Sequence, residues 1–137
     1  TPCAAVSATP CAAWPRWGNL AGFAACEAVL CHGEPWRQAL LTHLRANHDH
    51  LLATVASDLA PLTMTPVEAT YLAWLDARAL KLPDPAAHFL THGIRLGDGQ
   101  YFGAPGYLRL SFACPRTHLD LAITRLRAGL QAVPRTC

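Results

Sequence analysis

Arg109 lies mid-way along Tyr107-Leu-Arg-Leu-Ser-Phe-Ala-Cys-Pro-Arg116, and its type and placement suit it to grip an anion. Strand alternation puts Leu108, Leu110 and Phe112 on one face and Tyr107, Arg109 and Ser111 on the other. A planar guanidinium on a stiff element can hold a carboxylate or phosphate with two parallel N–H donors. A solvated arginine on the open face of an antiparallel sheet would show the same alternation. The residues alone leave both readings open. Tyr71, Trp74 and Tyr107 could line a pocket beside it, although aromatic residues on strands more often belong to cores. Tyr101 and Phe102, on the glycine-rich loop Gly97–Gly106, could touch a substrate. That loop lacks a Lys-Ser/Thr ending and opens no helix, so it does not specify phosphate.

Other reactive side chains carry weaker signals. His88 and His92 stand four apart on an expected helix, a spacing that can bind a metal. No acidic residue lies between them, and His92 precedes Gly93, where a cation merely suits a helix C-terminus. His43, His48 and His50 gather around Asn47 without a ligand spacing, so no metal site is expected. The six cysteines (Cys3, Cys11, Cys26, Cys31, Cys114 and Cys137) are scattered and include no C-x-x-C. Disulfide frameworks mark small secreted domains without a core. Free thiols in a cytoplasmic protein are therefore expected. Arg116 opens a helix, where a cation is mildly unfavourable. A carboxylate partner is conceivable there, with a solvated surface position the simpler expectation.

Composition narrows the function classes. The chain has 137 residues, 52% hydrophobic and 15% charged, which fits one globular domain with a real core. A net charge of +2 with scattered basic residues gives no stripe for nucleic acid. No apolar run reaches the roughly 18 residues of a membrane span, and the first residues show no signal-peptide pattern.

The elements that must position these residues follow from period and punctuation. Residues 1–17, rich in Pro, Ala and Cys, read as irregular. Asn19 caps a helix from Leu20 to Cys31 that is apolar nearly all round, so it expects burial on every side. After Gly33 and Pro35, apolar residues at three- and four-residue steps from Leu40 to Leu59 define a long amphipathic helix over Trp36–Leu59. A short extended piece fits Leu62–Thr65, and Ala69–Asp76 reads as a central strand. Asp84–Gly93 carries an N-cap, a first-turn proline and a terminal glycine, the marks of a short helix. Gly93–Gly97 is a candidate strand, Tyr107–Phe112 another, and Pro115–Leu130 a helix with Leu119, Ile123, Leu126 and Leu130 on its apolar face. The order predicts an α+β fold: a mostly antiparallel sheet of about three strands covered by helices on one side.

These segments carry a resemblance. Asn19-Leu-Ala-Gly, His32-Gly-Glu-Pro-Trp36 and Leu44-Arg-Ala-Asn47 are similar to the stretch joining the large and small domains of fold-type I pyridoxal-phosphate (PLP) enzymes. Pro66–Asp76, Phe102-Gly103 and Leu108–Arg116 resemble the small-domain motifs of the cystathionine β-lyase and C-S lyase family, which is related to the class I/II aminotransferases. The resemblance runs from about residue 18 to 130. It implies an irregular segment at 1–17, a helix of a missing N-terminal large domain at 18–34, the small C-terminal domain with a long interdomain helix at 35–132, and a tail at 133–137. It further implies that Arg109 anchors the α-carboxylate of a small amino-acid substrate, with Tyr71 and Tyr101 as further substrate-side candidates. The family's chemistry is Cα-proton abstraction and β-elimination of a thiol, with PLP as cofactor and a homodimer as the usual assembly.

The departures from the pattern are informative. Ala69 replaces a glycine, Ser111 an asparagine, and Asp98 stands where proline is common. Lys81 is the only lysine and lacks the Ser-x-x-Lys surroundings of the cofactor lysine. No catalytic or cofactor-binding residue is therefore assigned within this chain, which resembles the C-terminal fragment of a lyase and is expected to be inactive alone. An aminotransferase C-terminal domain, or a non-catalytic carboxylate-binding or structural remnant, are the alternatives.

Overall fold

The structure, a computed structural model, describes residues 19–133. The expected irregular segment 1–17 and most of the expected 133–137 tail lie outside the described residues. Contacts divide the chain into two units whose boundary falls between Thr42 and His43.

In the first unit, helix α1 spans Leu20–His32, and the Asn19 side chain accepts a hydrogen bond from the Gly22 amide at 2.6 Å. That bond satisfies one of the donors a helix start leaves over. The expected all-round apolar helix is present, yet none of its side chains is buried; Leu20 is 85% and Leu30 79% exposed. Helix α2 runs Glu34–Asp58 and begins in this unit. Its first carboxylate, Glu34, accepts bonds from Arg37 and Gln38.

The second unit holds the core. Strands β1 (Thr63–Met64), β2 (Leu72–Asp76), β3 (Gly97–Asp98) and β4 (Tyr107–Ser111) form one antiparallel sheet in the order β1-β2-β4-β3. The last turns of α2 supply Leu51, Val55 and the following Leu59 to the core. Helix α3 (Pro85–Thr91) supplies Phe89, and α4 (Arg116–Gln131) supplies Leu119, Ile123 and Leu126. They pack with Ala73, Leu75, Leu108 and Leu110, the inward-pointing residues of the two central strands. Each fully buried leucine or phenylalanine is worth about 1.5–3 kcal/mol of hydrophobic stabilisation, so this cluster holds the sheet to its helices. The opposite face carries Leu72, Trp74, Asp76, Tyr107 and Arg109, all half-buried.

Three expectations need correction. The sheet has four strands rather than about three, because the two-residue pieces β1 and β3 pair with the central strands. The strand expected at Gly93–Gly97 is displaced to Gly97–Asp98: Ile94 and Leu96 are buried, but the Ile94 amide turns back to the Phe89 carbonyl at 3.2 Å. Apolar burial without a ladder gave the same sequence signal as a strand. The strand expected from Ala69 starts at Leu72, because Thr70 has a left-handed φ of 72° that breaks the extended run.

Candidate functional site

Arg109 lies at the centre of the sheet's open face. Its cross-strand neighbours are Trp74 on β2 and Gly97 on β3. A Cβ on Gly97 would stand 3.2 Å from the Arg109 Cβ and 3.3 Å from its Nε, so the missing side chain is what clears the arginine's path. The guanidinium carbon lies 4.3 Å from the centroid of the Phe102 ring. Phe102 ends a 3-10 turn, Gly99–Phe102, whose start is capped by the Asp98 carboxylate accepting from the Gln100 amide at 2.9 Å. Its ring meets Trp74 edge-on at 5.7 Å and 86°. Among the described residues, the Arg109 guanidinium makes no hydrogen bond or ion pair, so its donors remain available to a ligand.

A groove of about 330 Å³ opens beside it, lined by Arg109, Trp74, Leu72 and the segment that includes Thr65, Val67 and Thr70. Arg109 is the only charged residue in this lining. The segment is tied down from α2: the Val67 amide donates to His48 Nε2 at 3.0 Å, which leaves Nδ1 as the protonated nitrogen toward Asp49 at 2.9 Å. Thr70 holds its left-handed conformation while its hydroxyl accepts from the Leu72 amide at 3.3 Å. A β-branched residue there is strained, and such strain concentrates at functional sites.

On the same face, a second arginine behaves differently. Arg78 lies 4.9 Å from the centroid of the Tyr107 ring, but it is paired with Asp76 at 2.7 Å. The Arg78 side-chain hydrogen bond pulls the Asp76 carboxyl down to about 2. The face therefore carries one neutralised guanidinium and one without a partner among the described residues.

Tyr71 is exposed at the start of β2, and Tyr101 is 86% exposed on the turn before Phe102; neither lines the groove. Of the aromatic candidates, Trp74 lines the groove and Phe102 covers the arginine. The groove's Thr65, Val67 and Thr70 were not singled out from the sequence, because nothing in a proline-flanked connection marks which side chains turn inward.

His43, His48, His50, His88 and His92 each make a hydrogen bond within the fold. His88 Nε2 donates to the Gly129 carbonyl at 2.9 Å, and His92 Nδ1 bonds the His88 carbonyl at 3.0 Å. His50 reaches Asp120 at 2.9 Å. Asn47, fully buried, donates to the carbonyls of Phe112 and Cys114 at 2.9 and 2.8 Å and so fixes the turn from β4 to α4. Its signal was a polar residue on the apolar stripe between Leu44 and Leu51. Arg116 is a correction: it is half-buried and donates to the Ala46 carbonyl at 2.7 Å instead of being solvated. Cys26 and Cys114 are unpaired thiols. Among the described residues, no group of three or more His, Cys, Asp or Glu side chains could hold a metal, and no helix is long and apolar enough to cross a membrane.

The four-stranded antiparallel sheet with its covering helices has its structure neighbours in the PLP-dependent transferase fold. The homologues of the chain are cystathionine β-lyases and PLP-dependent C-S lyases, and it matches the C-terminal part of their fold. Cystathionine β-lyase PatB of Bacillus subtilis is 30% identical over 124 residues, which cover 82% of this chain and 31% of that protein. The crystal structure of OvoB superposes with a TM-score of 0.79 at 37% identity, over 82% of this chain and 30% of OvoB. The PLP-bound C-S lyase of Staphylococcus hominis gives 0.77 at 27% identity, over 82% of this chain and 31% of the lyase. The chain thus spans about three tenths of the length of the relatives it matches. No protein-family model matches the sequence.

The residues of this chain do not by themselves fit the cofactor. Lys81, its only lysine, is exposed at the left-handed end (φ 54°) of the 3-10 turn Arg78–Leu80 and does not line the Arg109 groove. A Schiff base needs a lysine amine in the same pocket as the substrate grip.

Proposed function

We propose that this chain is the small-domain portion of a PLP-dependent C-S lyase, and that Arg109 grips the α-carboxylate of its amino-acid substrate. The observation that carries the reading is a half-buried guanidinium beside the Phe102 ring with no acceptor among the described residues, facing a groove in whose lining it is the only charge. A half-buried cation left without an anion loses solvation and gains little. A bound carboxylate supplies the acceptor that the described residues do not, and two parallel charge-assisted bonds would fix its plane. Holding the carboxylate orients the substrate Cα–H bond, the positioning contribution to catalysis.

In this reading a missing N-terminal large domain brings the lysine and PLP, which supplies the electron sink. This chain's residues bind and orient. Residues 18–34 belong with that large domain and 35–132 form the small domain; Tyr71 and Tyr101, both exposed, are assigned to the substrate side of the whole enzyme. Homologues of the chain are named cystathionine β-lyase and C-S lyase; for the whole protein we extend this to elimination of a thiol from L-cystathionine or another cysteine S-conjugate by a homodimeric, cytoplasmic enzyme.

The reading frame upstream of Thr1 tests this directly. A cofactor-lysine motif there is the expected finding, and its absence overturns the lyase assignment. In the longer protein, Arg109→Ala should raise KM for L-cystathionine about 10- to 100-fold, the scale of losing hydrogen bonds to a charged group. An unchanged KM would remove Arg109 from the substrate grip.

A further inference from the structure

Arg109 has a long, flexible side chain, and a grip that must hold a carboxylate plane needs that flexibility removed beforehand. One neighbour makes room for the side chain and another restricts it. Gly97, its partner on β3, has no side chain to occupy the space at Cβ and Nε. Phe102 lies across the guanidinium at 4.3 Å, and Phe102 is itself held by its edge contact with Trp74. Trp74 is the cross-strand partner of Arg109 on β2, so the ring that covers the arginine is braced by the strand beside it.

We propose that Phe102 is a positioning residue: its ring holds the Arg109 guanidinium flat, with its N–H edge toward the groove, ready for a carboxylate. This rests on the reading of Arg109 given above. The ring lies 4.3 Å from the guanidinium carbon and offers no hydrogen-bond acceptor, so it orients the cation without competing for its donors. The contrast with Arg78 makes the point. Arg78 also lies over a ring, that of Tyr107, but Asp76 takes its donors. Phe102 is 52% exposed and absent from the buried core, so its place over the arginine is not accounted for by core packing.

The test uses the full chain, 15N-labelled, in three variants beside wild type: Phe102→Leu, Phe102→Tyr and Arg109→Ala. Acetate is the probe, titrated on the backbone amides of Trp74 and Gly97, while the Arg109 side-chain protons report ring-current shift. Phe102→Leu should abolish that shift and weaken acetate binding about 3- to 10-fold, with the thermal midpoint unchanged. Phe102→Tyr, which keeps a ring, should restore both. Acetate binding by Phe102→Leu equal to wild type would overturn the positioning role and leave the Arg109 grip standing. If Arg109→Ala binds acetate as wild type does, the carboxylate grip itself fails, and the role of Phe102 with it.

Discussion

Asp76 and Arg78 are two residues apart and settle their own electrostatics. Arg78 donates to the Asp76 carboxylate from Nε at 3.0 Å and from Nη2 at 2.7 Å, and its backbone amide adds a third bond at 3.0 Å. These bonds favour the ionised acid, so the carboxyl falls from its usual 3.8 to about 2. A carboxyl depressed in the folded state stabilises fully above its unfolded value, and that contribution is lost as pH falls from about 4 toward 2. Thermal midpoints compared at pH 5 and pH 2.5 should therefore drop further for wild type than for Asp76→Asn. Equal drops would show that the pair contributes nothing to acid stability. At this scale the sequence was informative where side-chain direction follows from strand parity: Arg109 on the open face, Leu108 and Leu110 on the core face. It was uninformative about who meets whom. The spacing places Asp76 two residues from Arg78, but nothing in it shows that Arg109 acquires only a ring, because Phe102 comes from a separate turn.

Elements were legible in proportion to their local signals. Helix α3 starts where Asp84 accepts from the Ala87 amide at 2.8 Å, and α4 presents Leu119, Ile123 and Leu126 inward. The short edge strands β1 and β3 have no period of their own; they exist because central strands offer free backbone groups to pair with. The contact between α3 and α4 gives a prediction whose sign is decided by packing. An alanine in place of a helical glycine ordinarily gains about 1 kcal/mol. At Gly129, however, the added Cβ would stand 2.7 Å from two carbons of the Phe89 ring, and Phe89 is fully buried. Overpacking of that kind costs about 1–3 kcal/mol. Gly129→Ala should thus be destabilised in urea unfolding, and a gain in stability would contradict the close packing of the two helices.

For the whole molecule, the informative contrast is between the two units. Residues from His43 onward bury a contiguous core, whereas α1 leaves Leu20, Phe23, Val29 and Leu30 exposed. So many large apolar side chains exposed on one helix mark a surface that needs cover. The isolated chain should self-associate with rising concentration in sedimentation velocity, and Leu20→Glu with Leu30→Glu should suppress this without moving the thermal midpoint. Concentration-independent sedimentation of wild type would mean that α1 needs no cover. From the sequence alone came the helices, the two central strands, the α+β class and the resemblance that singled out Arg109, because caps, periodicity and motifs act over a few residues along the chain. Tertiary structure alone decided that the sheet has four strands, that Phe102 and Gly97 frame the arginine, and that its guanidinium has no partner among the described residues. Those facts depend on which distant segments share a sheet edge or a turn, and no local pattern encodes that.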